Sequence, residues 1–334
     1  MPRLYLSEYR RVLAGKEVTI ACREGILRDH LEHVVADIKF LVRQGIRTTL
    51  CHNMANRFAN RRHFRRLADR LPQTTIHRLP AEADFHAQVL DGERSVFKLI
   101  FLERKPLCDA RGRRINTLTT RDVLTGAAHP VANTNLTDAL DQICRRISAG
   151  DYDRVHILPA RRDCIKHELF TIEGSGTLIA DNFVEELIPV VTDAEVGMVA
   201  GILDLYRRQG YLKPRSRAYL SERRSRFFIT RIDGIPVGCV ERKHVDADTV
   251  ELAALAISTR FRNQRVGVFT VGAFEREARG LGYRRMISLT NNPRLQTLYG
   301  WLGFERKSPA AYADRQRLSP DVAMFVKELG DGSP

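Results

Sequence analysis

Residues 18–51 read strand, helix, strand, an order that leaves the backbone few ways to pair. Val18-Thr19-Ile20-Ala21-Cys22 is rich in residues that suit an extended, half-buried chain. Leu31, Val34, Val35, Ile38, Leu41 and Val42 then recur at i, i+3, i+4 spacing, the period of an amphipathic helix. Gly45 stands where a helix C-terminus takes a left-handed residue, and Thr48-Thr49-Leu50-Cys51 resumes the strand pattern. Strands joined through a helix pair in parallel by a crossover, so the order predicts a parallel sheet covered by helices. Further strands are expected at Val96–Leu102 and Arg154–Leu158, and a helix at Leu136–Ser148 with Leu140, Ile143 and Ile147 on one face. The first half therefore reads as a three-layer α/β domain with a mainly parallel sheet, residues 1–185, its last element ending near Phe183.

The pattern changes after that. A helix is predicted over Ala194–Gln209, stopped at Gly210. Phe227–Ile232 and Val237–Glu241 flank Asp233-Gly234-Ile235-Pro236, and Asp-Gly is a hairpin signal. A strand over Thr249–Ser258 follows, then a helix over Gly267–Arg279 with Val268, Val271, Phe274, Ala278 and Leu281 on one face. A strand over Arg285–Thr290 and a short helix over Arg294–Leu302, stopped by Gly303, complete a mixed α/β domain of residues 191–329. A length of 334 residues with 43% hydrophobic content suits two packed cores.

Composition narrows the function classes. No apolar run approaches the roughly 20 residues that cross a bilayer, and the first residues lack a signal peptide's apolar core, so a cytoplasmic protein without membrane partners is the expectation. The six cysteines include no C-x-x-C pair, and His30 and His33 have no evident third ligand, so no metal is expected. The net charge of +14 favours anionic partners. The densest basic run, Arg57 to Arg70, reads as a helix with Met54, Phe58, Phe64 and Leu67 as an imperfect apolar stripe; no nucleic-acid-binding motif accompanies it, and a solvated basic face is its plainest reading.

The stretch Arg260-Phe261-Arg262-Asn263-Gln264-Arg265-Val266-Gly267-Val268 lies between a predicted strand and a helix N-terminus. Exposed N–H groups and the helix dipole make such a place a phosphate cradle. Gly267 admits a close-lying ligand, and Arg262 and Arg265 add charge. The segment Asn291-Asn292-Pro293-Arg294-Leu295-Gln296-Thr297-Leu298-Tyr299-Gly300-Trp301-Leu302-Gly303-Phe304 resembles the closing N-x(n)-L-Y-x-x-L-G-F of GNAT acetyltransferases, and the second half presents that superfamily's elements in order. Arg262 and Gly267 match two positions of the superfamily's R/Q-x-x-G-x-G/A loop, whereas Arg265 replaces its first glycine. The resemblance implies acetyl-CoA as acyl donor, held by Arg262, Arg265, Val266, Gly267 and Val268 and by the backbone of Leu255, Ala256 and Ile257.

A closer likeness covers both halves. Gly210-Tyr211-Leu212-Lys213-Pro214-Arg215-Ser216-Arg217, the hairpin Phe228–Cys239, Val250–Ile257 and His167-Glu168-Leu169-Phe170-Thr171-Ile172-Glu173-Gly174-Ser175-Gly176-Thr177-Leu178-Ile179 resemble bacterial N-acetylglutamate synthases. Those enzymes carry an amino-acid-kinase-like domain before the GNAT domain. The first half is shorter than that family's. Its strand ends, Ala21-Cys22-Arg23-Glu24 and Cys51-His52-Asn53-Met54-Ala55, lack the lysine and glycine pair a kinase needs, so no ATP chemistry is expected there. The resemblance implies an assembly or regulatory role for that half, a homo-oligomer, and an effector site at Glu168, Gly174 and Gly176.

Acetyl transfer to an amine needs a base for the ammonium, polarisation of the thioester and an acid for the thiolate. Glu251 on the central strand is the candidate base and Tyr299 the candidate acid. Arg215, Ser216, Arg217 and Arg294 match the synthase pattern and are the candidate clamps for an amino-acid acceptor, most simply L-glutamate, in arginine biosynthesis. Another amine acceptor, or a non-catalytic ligand-binding protein, is also compatible with these residues.

Overall fold

The computed structural model describes residues 6–55, 67–81, 84–92, 96–126, 131–132, 136–171, 173–258, 266–308 and 321–330. The chain divides into two units, Met1–Phe183 and Val184–Pro334. Most of the basic run expected as a helix, residues 56–66, lies outside the described residues, and Leu67–Arg70 forms a four-residue helical turn.

Unit 1 is built on a seven-stranded sheet. Its strands are β1 (Glu17–Cys22), β2 (Arg47–His52), β3 (Thr74–Arg78), β4 (Lys98–Glu103), β5 (Thr117–Thr119), β6 (Val155–Pro159) and β7 (Thr177–Ala180), in the order β3-β2-β1-β4-β6-β7-β5. Every neighbouring pair is parallel except β6 with β7. The helices are α1 (Leu6–Leu13), α2 (Glu24–Arg43), α3 (Leu67–Arg70), α4 (Phe85–Asp91), α5 (Thr120–Leu124), α6 (Thr137–Ser148) and α7 (Cys164–Phe170). α2 is the expected crossover, and Gly45, at φ 79°, ends it. Phe170 of α7 meets Tyr9 of α1 and Phe40 of α2 on one face, while α4 and α6 share a core with Phe101, Val155 and Ile157 on the other. The three-layer, mainly parallel architecture expected of this half is thus present. The short strands β3, β5 and β7 carry no periodic apolar pattern long enough to read from sequence.

Unit 2 holds β8 (Glu185–Pro189), α8 (Asp193–Arg207), α9 (Arg217–Glu222), β9 (Phe227–Ile232), β10 (Ile235–His244), β11 (Thr249–Ile257), α10 (Val266–Gly280), β12 (Arg285–Thr290), α11 (Pro293–Trp301), β13 (Glu305–Lys307) and β14 (Ala323–Glu328). The sheet order is β13-β14-β12-β11-β10-β9-β8, antiparallel except for β11 with β12. Asp233 and Gly234, at φ 52° and 75°, form a two-residue turn that matches the right-handed twist of the flanking strands. α8 starts on a reciprocal cap in which Thr192 and Glu195 satisfy each other's main-chain N–H groups. The sequence pattern missed β8 because its residues, Glu-Glu-Leu-Ile-Pro, barely alternate; pairing with β9 makes it the sheet's edge. Val271, Phe274 and Ala278 of α10 are buried as expected, but Leu281 lies past the helix end and is 52% exposed.

Candidate acyl-transfer cleft

β11 and β12 pair only at Thr249↔Arg285, Val250↔Met286 and Glu251↔Ile287, although β11 continues to Ile257 and β12 to Thr290. Beyond Glu251 the two strands part. On the other side of β11, the register with β10 slips between Cys239 and Glu241, so that Ala254 and Leu255 together face Val240. Ala254 takes φ 52°, a left-handed conformation costing an L-residue about 1–2 kcal/mol. This bulge lies just beyond the last pairing of β11 with β12. The small residues Ala253, Ala254 and Ala256 suit a backbone bent in this way.

The side chains sort by alternation. Val250, Leu252 and Leu255 join Phe274 of α10 and Tyr299 of α11 in one core. Glu251, between the first two, therefore projects to the other face, as do Cys239 and Glu241 on either side of Val240. Glu251 is 4% exposed, with the Lys243 ammonium 3.9 Å away. On the core face Tyr299 is buried against Phe304 and Phe325. Ser288, the first β12 residue past the ladder, bridges the Leu252 carbonyl oxygen and the Tyr299 hydroxyl at 2.9 Å each. Burial pushes the Tyr299 phenol well above its ordinary range, with the nearby Glu251 charge acting in the same direction, so its proton is retained through neutral pH. A base candidate and an acid candidate thus flank the point where the strands part.

α10 begins at Val266, buried, followed by Gly267 and by Val268, which is 37% exposed. A Cβ at Gly267 would stand 3.1 Å from Leu298 of α11, so the glycine lets the two helices approach. Arg262 and Arg265 lie outside the described residues. Of the three main-chain sites expected on β11, the Ile257 N–H meets the Tyr206 hydroxyl at 3.3 Å and the Ile257 carbonyl accepts from it at 2.7 Å. The Ser258 N–H donates to the Val237 carbonyl at 2.6 Å, which sets the phase of the ladder and directs Ala256 towards Cys239 on β10. Leu255 sits at the bulge itself.

The expected acceptor clamps are redistributed. Arg215 does not present a free guanidinium: Nε and Nη2 donate to Glu241 Oε2 at 3.1 and 2.8 Å. The Tyr219 hydroxyl donates to Oε1 at 2.7 Å, and Glu241 is 0% exposed. A carboxylate that deep needs partners, and Arg215 is one of them. Glu241 escaped the sequence reading because it ends an expected strand with no motif around it. Ser216 caps α9 through the Tyr219 N–H at 3.1 Å, which accounts for its hydroxyl. Arg217 and Arg294 are exposed at the starts of α9 and α11.

In unit 1 Glu168, the expected effector contact, has internal partners. Its side chain is wholly buried and accepts the Ser175 and Gly176 N–H groups at 2.7 and 3.0 Å, with His156 Nδ1 at 2.7 Å. The carboxylate closes the Gly174-Ser175-Gly176 turn. Gly174 takes φ 62°, and a Cβ at Gly176 would fall 2.3 Å from the Ile157 carbonyl oxygen, so both glycines serve the backbone. His52 is packed at the end of β2, where Nδ1 accepts the Met54 N–H at 3.2 Å. Among the described residues no helix is long and apolar enough to cross a membrane, and no cluster of three or more His, Cys, Asp or Glu is placed to hold a metal ion.

Comparison with known proteins bears on the fold. Residues 198–304 match the acetyltransferase (GNAT) family. The amino-acid acetyltransferase of Pseudomonas syringae pv. syringae is 29% identical over 242 residues, 69% of this chain and 54% of the relative. That of Pseudomonas syringae pv. tomato is 28% identical over 335 residues, 96% of this chain and 72% of the relative. The chain thus spans about half the length of the first of these relatives. The N-acetylglutamate synthase from Neisseria gonorrhoeae, crystallised with coenzyme A and L-arginine, superposes with a TM-score of 0.54 at 19% identity, covering 98% of each chain. The fold of both units is therefore that of the synthase, which the sequence likeness had implied.

Proposed function

We propose that the chain is an acetyl-CoA-dependent amino-acid N-acetyltransferase, with L-glutamate as the acceptor and N-acetyl-L-glutamate as the product. The observation that carries this reading is the parting of β11 from β12 at Glu251, between a buried acid on one face and a buried phenol on the other. The similarity to amino-acid acetyltransferases supports the same reading.

In this mechanism the thioester enters between the parted strands, with its diphosphate at the start of α10, where Val266, Gly267 and Val268 offer N–H groups and the helix dipole favours negative charge. Arg262 and Arg265 add positive charge in the sequence just before α10. Main-chain groups at the Leu255 bulge polarise the thioester carbonyl. Glu251 takes the proton of the acceptor's ammonium, and the uncharged amine attacks the carbonyl carbon. The C–S bond then breaks, and Tyr299 supplies a proton to the departing thiolate. Arg217 and Arg294, both exposed, clamp the acceptor's carboxylates. Unit 1 serves assembly in a homo-oligomer, and the product feeds arginine biosynthesis in the cytoplasm. The engagement of Arg215 by Glu241 favours a second reading, in which the same chemistry serves a different amine.

Thiol release from acetyl-CoA across a panel of amino acids tests both. Fastest release with glutamate, and an Arg294→Ala variant whose glutamate KM rises about tenfold with kcat little changed, are expected from loss of one charged hydrogen-bonding partner. Release with another amine and none with glutamate would establish the second reading, and release with no amine would end both.

A further inference from the structure

The chain has one tryptophan, Trp301, and its surface is 81% exposed at the last position of α11. Scattered apolar side chains on a surface are ordinary, but its place on α11 is specific. Tyr299 is buried, and Leu295, Leu298 and Leu302 pack against the core. Leu298 is also the side chain nearest to Gly267, at the opening of α10. Trp301 lies three residues beyond Leu298 and Arg294 four before it, and residues at these spacings are neighbours on a helix surface. Arg294, Leu298 and Trp301 therefore form one flank of α11, and its middle member touches the first turn of α10. That flank offers an exposed indole one helical step from where a diphosphate would sit.

We propose that Trp301 is the adenine platform of the donor site: its indole stacks on the purine of acetyl-CoA and so selects the nucleotide-bearing thioester over the bare pantetheine thioester. This inference rests on the reading of unit 2 as a CoA-dependent acyltransferase. Every base presents a π face, and an exposed indole beside a phosphate cradle receives it without rearranging the core. Trp301 then contributes to donor affinity and has no part in the chemistry at the carbonyl.

The only indole in the chain gives an unambiguous signal. The full-length protein is titrated with CoA and with pantetheine while tryptophan emission is followed, and CoA binding is measured independently by calorimetry. The expected result is saturable quenching by CoA at the calorimetric Kd and none by pantetheine. Trp301→Ala should weaken CoA binding by about tenfold, the scale of base–aromatic stacking, and leave turnover of S-acetylpantetheine unchanged. Trp301→Phe should recover most of the affinity. If calorimetry shows CoA bound with equal affinity by Trp301→Ala and by the unaltered protein, the platform is disproved and the acyltransferase reading stands. If the unaltered protein binds no CoA, the acyltransferase reading fails and the platform with it.

Discussion

Each unit sets two parallel strands side by side at the middle of its sheet, and the two pairs end differently. In unit 1, β1 and β4 stay paired to Cys22↔Leu102, and the next residues hold the ends together: Arg23 is ion-paired with Glu103, whose other oxygen meets His86 Nε2 at 3.0 Å. Beside them the Glu24 carboxylate accepts the Ala55 N–H, and the Asn53 side-chain oxygen accepts the N–H of Glu24 itself. A pocket of about 540 Å³ remains at this edge, but Glu103, the acid in its lining, is paired with Arg23, and Arg104 reaches Asp29. In unit 2, β11 and β12 pair for three residues and separate. A parallel sheet cross-linked at its carboxyl ends is a scaffold. One whose central parallel pair ends after three residues, next to a bulge, leaves its strand ends apart.

The comparison breaks first if the buried charges of unit 1 are not structural. Glu168→Ala leaves His156 and two buried N–H groups without their acceptor and should destabilise unit 1 by about 3–5 kcal/mol, read from denaturant unfolding and from hydrogen exchange in β6 and β7. Stability unchanged by that substitution would return Glu168 to the effector role its motif suggested. In unit 2 the matching change should strike chemistry and spare the fold. Glu251→Gln is expected to lower kcat roughly 100-fold or more, the usual worth of a general base, with little change in Tm; a loss of Tm without a specific loss of kcat would make Glu251 part of the scaffold too.

Arg215→Ala sharpens the boundary between the two behaviours. It strands the buried Glu241 carboxylate with Tyr219 alone and should cost about 2–3 kcal/mol of stability, whereas a true acceptor clamp would raise the acceptor KM and leave the melting curve in place. The smallest effect concerns pH. Burial, with Arg78 nearby, lowers the His52 pKa to about 4, so its contribution to stability is present above about pH 6.5 and is lost as pH falls towards 4. Burial raises the Asp37 pKa to about 6, which acts oppositely: the folded state favours the protonated acid, so its stability is gained as pH falls below 6. Between pH 4 and 6 the two oppose each other. Asp37→Asn should steepen the loss of stability on acidification across that window by about 1–2 kcal/mol relative to the unaltered chain, followed by chemical unfolding at several pH values.

Much of this was legible in advance for local reasons. The crossover from β1 to β2, the Asp233-Gly234 turn and the glycine stops at Gly45 and Gly303 each follow from residue types whose backbone preferences act over a few positions. The edge strand β8 and the three short strands of unit 1 were not legible, because their extended form comes from the partner strand and not from a pattern of their own. The site divided in the same way. Glu251 and Tyr299 were named from strand position and motif, and they lie on the two faces of the sheet where β11 and β12 part. Arg215 and Glu168 were found by the same means and are committed to internal partners, while Glu241, which decides what Arg215 can do, had no signal at all.

The sequence by itself determined the longer strands and helices and their order, and with them the class of each fold, because apolar period and turn residues act locally. Only the tertiary structure decided which charged groups are available. Whether an arginine faces solvent or a buried carboxylate depends on residues far along the chain, as with Arg215 and Glu241, and the cost of an unpaired charge in the interior enforces that pairing ahead of any ligand.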